Sequence, residues 1–355
     1  MKTMEMPLVS VVVPAYNEAA IIEKNLAAIC DYMKSLENTY RWELLVINDG
    51  STDDTGDRAE AFALGRENVS VLHHMFNFRL GQALRYAFGR CQGDFIVVLD
   101  LDLSYAPEHI GKMLSRIRET RAKIVIASPF LKGGRISNVP RTRKRLSIWA
   151  NRFLCLMAAR DRFSDPITNI TGMVRAYDGQ FLRKLDLKST DYNINPEIIY
   201  KAKILRARIV EVPAHLDWVA EKNRRSSLKI MRNIIQSFMS GFIFRPFMFF
   251  IFPGIFLAVI SLYPLTWTIV HTIRFYNNFR DLGLSVDNRL SGAIGEAFKI
   301  APHAFIVGGI VLLVAIQLVS LGFLAFQSKR YFEELFHLSS SIYSQSQPKR
   351  KVEST

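Results

Sequence analysis

Apolar residues in the first half of the chain fall into short unbroken runs, each closed by turn-forming polar residues. Leu8 to Pro14 is such a run, as are Trp42 to Ile47, Val69 to His73, Phe95 to Leu99 and Lys123 to Ser128. Runs without polar alternation read as strands covered on both faces, which is the habit of parallel sheets. Between them the period changes to that of a helix. Ile22, Leu26, Ile29 and Met33 recur at helical spacing within Glu18 to Leu36, and Gly81 to Cys91 and Pro107 to Thr120 behave alike. Strands alternating with helices predict an α/β sandwich around a mostly parallel sheet.

The last third follows a different rule. Neither Pro246 to Val270 nor Ala301 to Ser328 contains an Asp, Glu, Lys or Arg. Each is longer than the roughly 20 apolar residues that cross a hydrocarbon core, so a transmembrane hairpin is expected over 245–328, with spans at about 246–270 and 301–328. Before it, Ser226 to Phe242 carries Leu228, Met231, Ile235, Phe238 and Phe242 on one stripe, an amphipathic juxtamembrane helix over 226–244. Arg224, Arg225, Lys229, Arg232 and Arg245 precede the first span, and Lys329, Arg330 and the 349–351 cluster follow the second. The positive-inside rule then puts residues 1–225 and the 329–355 tail in the cytoplasm, with 271–300 facing outward. The expectation is a multi-pass protein of the cell's inner membrane, with the paired spans offering a surface for homo-oligomers.

Composition narrows the partners. Among 355 residues the net charge is +14 and the pI about 9.7. Such a balance favours an anionic partner: nucleic acid, a membrane surface or a phosphorylated substrate. Cys30, Cys91 and Cys155 are scattered, with neither zinc spacing nor a disulfide framework, which suits a reducing compartment. Met1 to Pro7 has no apolar core, so no cleavable signal peptide is expected. The Gly-rich dinucleotide fingerprint and the P-loop lysine are both missing, which argues against a nicotinamide enzyme or a P-loop NTPase.

The sharpest chemical feature is Asp100-Leu101-Asp102, directly after the Phe95 to Leu99 run. In a strand, residues two apart share a side, and the carboxyl end of a strand is where open α/β sheets bind ligands. Two carboxylates there repel unless a cation or donors sit between them. A divalent metal bridging to a diphosphate, Mg²⁺ or Mn²⁺, answers that repulsion. Two solvated acids in a turn would be the plain alternative. Asp49, in Asn48-Asp49-Gly50-Ser51, ends another strand and can accept hydrogen bonds from a base or ribose; it also makes an ordinary turn.

Three ordered motifs carry a resemblance: Pro14-Ala15-Tyr16-Asn17-Glu18, Asn48-Asp49-Gly50-Ser51-Thr52-Asp53, and Asp100-Leu101-Asp102-Leu103-Ser104-Tyr105-Ala106-Pro107-Glu108. Together they resemble glycosyltransferase family 2, with its GT-A fold. Lys132-Gly133-Gly134, Gly172 to Tyr177 and Ile209 to Pro213 are similar to its polyprenyl-phosphate branch, and the likeness covers about 8–240. The resemblance implies a nucleotide site lined by Pro14, Tyr16, Glu18, Asp49 and Asp100. It implies a metal on Asp100 and Asp102, with Ser104 as a weaker third ligand. Asp165 and Glu197 match family acids near the donor sugar. Arg225 and Lys229 fall where the family has a mobile loop that touches the diphosphate, although its glycine is missing here.

The acceptor side is basic. Arg135 to Arg152 holds six arginines and lysines and no acid, with Leu146, Trp149, Phe153 and Leu156 at helical spacing. A basic amphipathic helix of this kind lies at a membrane surface; with membrane spans nearby, a bilayer is the expected contact and nucleic acid is not. The resemblance implies that Arg143 and Ser147, four residues apart on one face, bind the acceptor phosphate, with Arg135 or Arg141 replacing a family arginine that Ala127-Ser128-Pro129 lacks. The expected activity is inverting transfer of one sugar from a UDP- or GDP-sugar to undecaprenyl or dolichyl phosphate, with Asp100, Asp102 and Arg143 central to catalysis. A processive polysaccharide synthase, or a membrane-anchored module without activity, would be the alternatives. The first is disfavoured because a Gln-x-x-Arg-Trp segment is absent.

Overall fold

The structure is a computed structural model that describes residues 6–157, 166–217, 245, 247–279 and 285–346. The chain divides into two compact units, one built on residues up to 244 and the other on Arg245–Phe336.

The first unit opens with β1 (Leu8–Ala15), α1 (Ile22–Ser35), β2 (Arg41–Asn48), α2 (Thr55–Ala63), β3 (Val69–His73), α3 (Leu80–Phe88), β4 (Phe95–Val98), α4 (Glu108–Thr120) and β5 (Ile124–Ser128). It continues with β6 (Arg135–Ser137), α5 (Arg141–Met157), β7 (Arg175–Asp178), α6 (Gly179–Lys184), α7 (Ile194–Ile204), β8 (Ile209–Pro213) and β9 (His215–Asp217). Each apolar run is a strand. Val9, Val11, Val12 and Val13 of β1 are fully buried, as are Ile22, Leu26, Ile29 and Met33 along one face of α1.

The main sheet runs β3-β2-β1-β4-β7-β5-β8. β1 pairs in parallel with β2 on one side and β4 on the other, so the chain leaves β1 in one direction and returns on the opposite flank. That switch point opens a crevice at the strands' carboxyl ends. The sheet is mixed rather than uniformly parallel: β7 lies antiparallel between β4 and β5. A second, two-stranded sheet joins β6 to β9.

The basic segment is split differently from its sequence pattern. Arg135 stands on β6, and the helix begins only at Arg141. The main-chain N–H of Arg135 donates to Ala214 O at 3.0 Å, which commits it to the small sheet before the helix can start.

The second unit holds α8 (Met248–Asn278), α9 (Val286–Ile300) and α10 (Pro302–Ser346), the last running beyond the unit. Gly254 faces Ala315 and Val319, Gly322 faces Ile251, and Gly308 faces Pro264, so α8 and α10 run antiparallel with small residues where backbones approach. Met248–Asn278 and Pro302–Phe336 are long and apolar enough to cross a membrane. In their most apolar stretches only 11% and 17% of residues are buried, unlike the core helix of a soluble protein. At about 1.5 Å per residue, the 31 residues of α8 outreach a ~30 Å hydrocarbon core. Within 271–300, the segment expected to face outward between the spans, α9 is a helix with Ala293 and Ala297 buried.

Close packing fixes the entry to β4. The Gly93 N–H donates to Ser10 Oγ at 2.8 Å, and a Cβ there would lie 2.5 Å from Phe95 O and 2.6 Å from Ser10 N. Gly93→Ala should therefore cost about 1–3 kcal/mol of stability through overpacking. Denaturation of the detergent-solubilised protein followed by circular dichroism checks this; an unchanged midpoint contradicts it.

Candidate functional site

Three adjacent parallel strands deliver the site. β1 ends at Pro14 and Ala15, β2 ends one residue before Asp49, and β4 runs into Asp100. Asp49 N–H donates to Ala15 O at 3.0 Å, and Leu99 N–H to Val12 O at 3.0 Å, so the three chain ends leave the sheet in register. Pro14, Tyr16, Glu18, Asp49, Asp100, Asp102 and Ser104 thus share one edge of the sheet. Tyr16 is exposed, Pro14 and Glu18 are half-buried, and Asp49 and Ser104 are buried.

The two polar motifs brace each other. Asn17 Oδ1 accepts from Thr52 N at 2.8 Å, Ser51 Oγ from Asn17 N at 3.1 Å, and Thr55 Oγ1 from Glu18 N at 2.8 Å. Much of the Asn48 to Thr55 motif is therefore architecture. It fixes the loop after β1, where Asn17 sits at φ +55°.

Asp49 has a partner on the neighbouring strand. His74, just past β3, holds Asp49 Oδ1 through Nδ1 at 2.7 Å, and the N–H of Phe78 donates to the same oxygen at 3.0 Å. Both side chains of the pair are only 7% exposed. The strand order β3-β2-β1 is the signal that would have put His74 beside Asp49.

The Asp100–Asp102 turn is tightly framed. Leu103 adopts φ +51°, which costs an L-residue about 1–2 kcal/mol. Asn25 of α1 donates from Nδ2 to Leu101 O at 2.8 Å, and Asp102 Oδ1 accepts from Ser104 N at 2.9 Å. Asp217 of β9 donates its N–H to Ser104 O at 2.9 Å, which ties the end of β9 to this turn. Burial, and then the neighbouring Asp102 carboxylate, push Asp100 up to about 7. Burial and both carboxylates also raise the Tyr105 phenol.

Neither Asp100 nor Asp102 is ion-paired with a described residue. Among the described residues no group of three or more His, Cys, Asp and Glu could hold a metal. The protein side therefore offers two hard carboxylates that repel each other, which fits a Mg²⁺- or Mn²⁺-type cation completed by other oxygen ligands.

The other expected residues stand on other elements. Arg135 is exposed on β6, while Arg141, Arg143 and Ser147 belong to α5, with Ser147 exposed. Trp149 and Leu156, two positions of the apolar stripe of α5, are 60% and 72% exposed. Glu197 is buried and fully engaged: its carboxylate accepts from Lys188 N at 2.9 Å, Ser189 N at 2.8 Å and Lys201 Nζ at 2.6 Å. Burial alone would raise it, but the Lys201 ammonium and the Ser189 and Lys188 donors hold it below the ordinary carboxylate range. Asp165, Arg225 and Lys229 lie outside the described residues.

Comparison with known proteins points one way. The glycosyl transferase family 2 model matches residues 10–185. An undecaprenyl-phosphate mannosyltransferase of Micrococcus luteus is 33% identical over 57% of this chain and 80% of its own. A polyprenol monophosphomannose synthase of Mycolicibacterium smegmatis is 31% identical over 57% of this chain and 75% of its own. A solved mannosyltransferase from Pyrobaculum calidifontis, in complex with GDP-Man and Mn²⁺, is 16% identical over 98% of this chain and 89% of its own, with a TM-score of 0.47. At that score it adds nothing to the assignment.

With Asp100 pushed up to about 7, any cation that binds the pair would have to displace a proton there at lower pH. Mn²⁺ affinity should therefore weaken as pH falls through 7 and level off above it. Calorimetric titration at pH 6 and pH 8 measures this; an affinity independent of pH contradicts the reading.

Proposed function

Because the chain belongs to glycosyltransferase family 2, we propose that it moves a single sugar from a nucleotide-diphosphate donor to a polyprenyl phosphate at a membrane surface. Mannose is the sugar named in its relatives. The observation that carries the reading is the Asp100–Asp102 pair at the switch point, beside the braced edge formed by Tyr16, Glu18 and Asp49.

In this reading the donor's base and ribose lie along Pro14, Tyr16, Glu18 and Asp49. His74 and the Phe78 amide keep Asp49 oriented for that contact. Asp100 and Asp102 hold Mg²⁺ or Mn²⁺, which when bound offsets the charge developing on the departing nucleotide. Ser104 fixes Asp102 through its N–H and stands close enough in sequence to share the cation's shell. Arg225, Lys229 and Asp165 lie outside the described residues; on the family resemblance alone we assign Arg225 and Lys229 to the donor diphosphate and Asp165 to the neighbourhood of the sugar.

The acceptor needs little chemical activation. A phosphate monoester is already anionic near neutral pH, so no strong general base is required. It needs positioning, and neutralisation against the second anion in the same site. Arg143 and Ser147 supply the grip, an arginine fork being suited to phosphate oxygens, with Arg135 and Arg141 contributing further charge. Attack on the anomeric carbon from the opposite side inverts its configuration. Retention would need a placed carboxylate nucleophile; Glu197, with its oxygens bound to Ser189, Lys188 and Lys201, is poorly suited to that role.

The two apolar helices and the exposed apolar stripe of α5 support membrane attachment. Trp149 and Leu156 would lie among the headgroups while the acceptor's tail remains in the bilayer. The basic residues flanking both spans support a cytoplasmic catalytic unit at the inner membrane.

Asp102→Asn should reduce transfer by at least 10²-fold with an unchanged circular dichroism spectrum; near-normal turnover with Mg²⁺ and lipid phosphate contradicts the metal assignment. Arg143→Ala should raise the KM for lipid phosphate at least tenfold and that for the nucleotide sugar by less than twofold. Equal shifts would reject the acceptor assignment.

A further inference from the structure

Asn151 of α5 is 4% exposed, on a helix whose Trp149, Ser147 and Arg145 are exposed. Its side chain is fully used. Nδ2 donates to Thr168 O, and Oδ1 accepts from Ile170 N at 3.2 Å. An amide reading two main-chain groups two residues apart clamps that stretch of backbone to the helix.

The clamped stretch is itself anchored to the sheet from several sides. Glu211 of β8 accepts from Thr168 N at 2.9 Å, Thr168 Oγ1 at 2.6 Å and Asn169 N at 2.9 Å. Ser128, at the carboxyl end of β5, shares a hydrogen bond with Thr168 Oγ1 at 2.7 Å. Asn169 Nδ2 donates to Ala127 O at 3.1 Å, and Asn169 Oδ1 accepts from Gly172 N at 2.9 Å. The fully buried guanidinium of Arg175 donates to Ile170 O and, at 3.0 Å, to Asn195 O. Residues 168–170 thus form a rigid plinth at the carboxyl edge of β5 and β8.

Helix geometry supplies the consequence. Arg143, Ser147 and Asn151 are spaced by four residues, so they follow one another along a single face with about 40° of drift per step. Asn151 is the buried foot of that face. The rotation of α5 about its axis is therefore set where Asn151 meets the plinth, and the same rotation sets where positions 147 and 143 stand.

We propose that Asn151 is the positioning residue that aims the acceptor-binding face of α5 at the catalytic edge. This rests on the assignment of Arg143 and Ser147 to the lipid phosphate. The amide acts through hydrogen bonding, not through the space it fills. An aspartate has nearly the same shape, and it keeps the acceptor for Ile170 N–H. It presents an oxygen to the Thr168 carbonyl, however, and the clamp opens.

The test uses the full-length protein in detergent with lipid phosphate and nucleotide sugar. Asn151→Ala and Asn151→Asp should each raise the KM for lipid phosphate at least fivefold. The KM for the nucleotide sugar should move less than twofold, and nucleotide binding measured by calorimetry should be unchanged. In an Arg143→Ala background, Asn151→Ala should add less than twofold, because the residue it aims is gone. Wild-type behaviour of Asn151→Asp overturns the hydrogen-bonding role. Equal shifts in both KM values, full additivity with Arg143→Ala, or failure of both single variants to fold makes Asn151 a plain structural residue and overturns the proposal. Failure of the unaltered protein to transfer sugar to any lipid phosphate overturns the functional reading beneath it, which the variants alone would leave standing.

Discussion

Two carboxylates at the end of a buried strand repel each other, and among the described residues no cationic side chain relieves that. Asp100 and Asp102 have no cationic partner among the described residues, and the repulsion adds to burial in lifting Asp100 to about 7. A fold seldom keeps such a pair without a use for it. The surrounding framework maintains the conflict: Leu103 is held in a left-handed conformation, Asn25 ties down Leu101, and β9 closes over Ser104.

The remainder of the first unit separates two kinds of charge. On the side of β1 and β2, acids are satisfied by protein donors, as Asp49 is by His74 and Phe78. The stretch of β6 and α5 carries six arginines and lysines and no acid in its sequence from Arg135 to Arg152. In the proposed reaction an anionic donor meets an anionic acceptor, and a cation on Asp100 and Asp102 would answer the first charge and guanidinium groups the second. Glu197 and Glu211 are acids near this region, yet each is spent on main-chain amides. They shape loops and leave the electrostatic task to others.

Much of this was legible from residue order. Unbroken apolar runs ending in Pro14, Asn48 and Asp100 announced strands with chemistry at their carboxyl ends, and the charge-free stretches announced the long helices. Strand direction was not legible: a run such as that preceding Asp178 is equally apolar either way, so the antiparallel β7 appears only in the fold. The Asp49–His74 pair required the order of strands, since 25 residues separate its members. Asn151 left no trace in the pattern because its partners are backbone groups, which every residue carries. The start of α5 was misplaced for a similar reason: Arg135 shares its charge with the helix, but its main chain is bound to Ala214. The helix α9 was not anticipated, because 271–300 reads only as the connection between two spans.

The central claim is that one sugar passes from a nucleotide to a lipid phosphate. It is tested most directly by reconstituting the purified protein in vesicles containing a short polyprenyl phosphate and Mg²⁺ or Mn²⁺. A panel of labelled UDP- and GDP-sugars is then supplied, and the lipid fraction is analysed for mass and anomeric configuration. The account predicts a lipid phosphate carrying a single sugar of inverted configuration from one preferred donor. A growing polysaccharide, or no lipid-linked product from any donor, would contradict it.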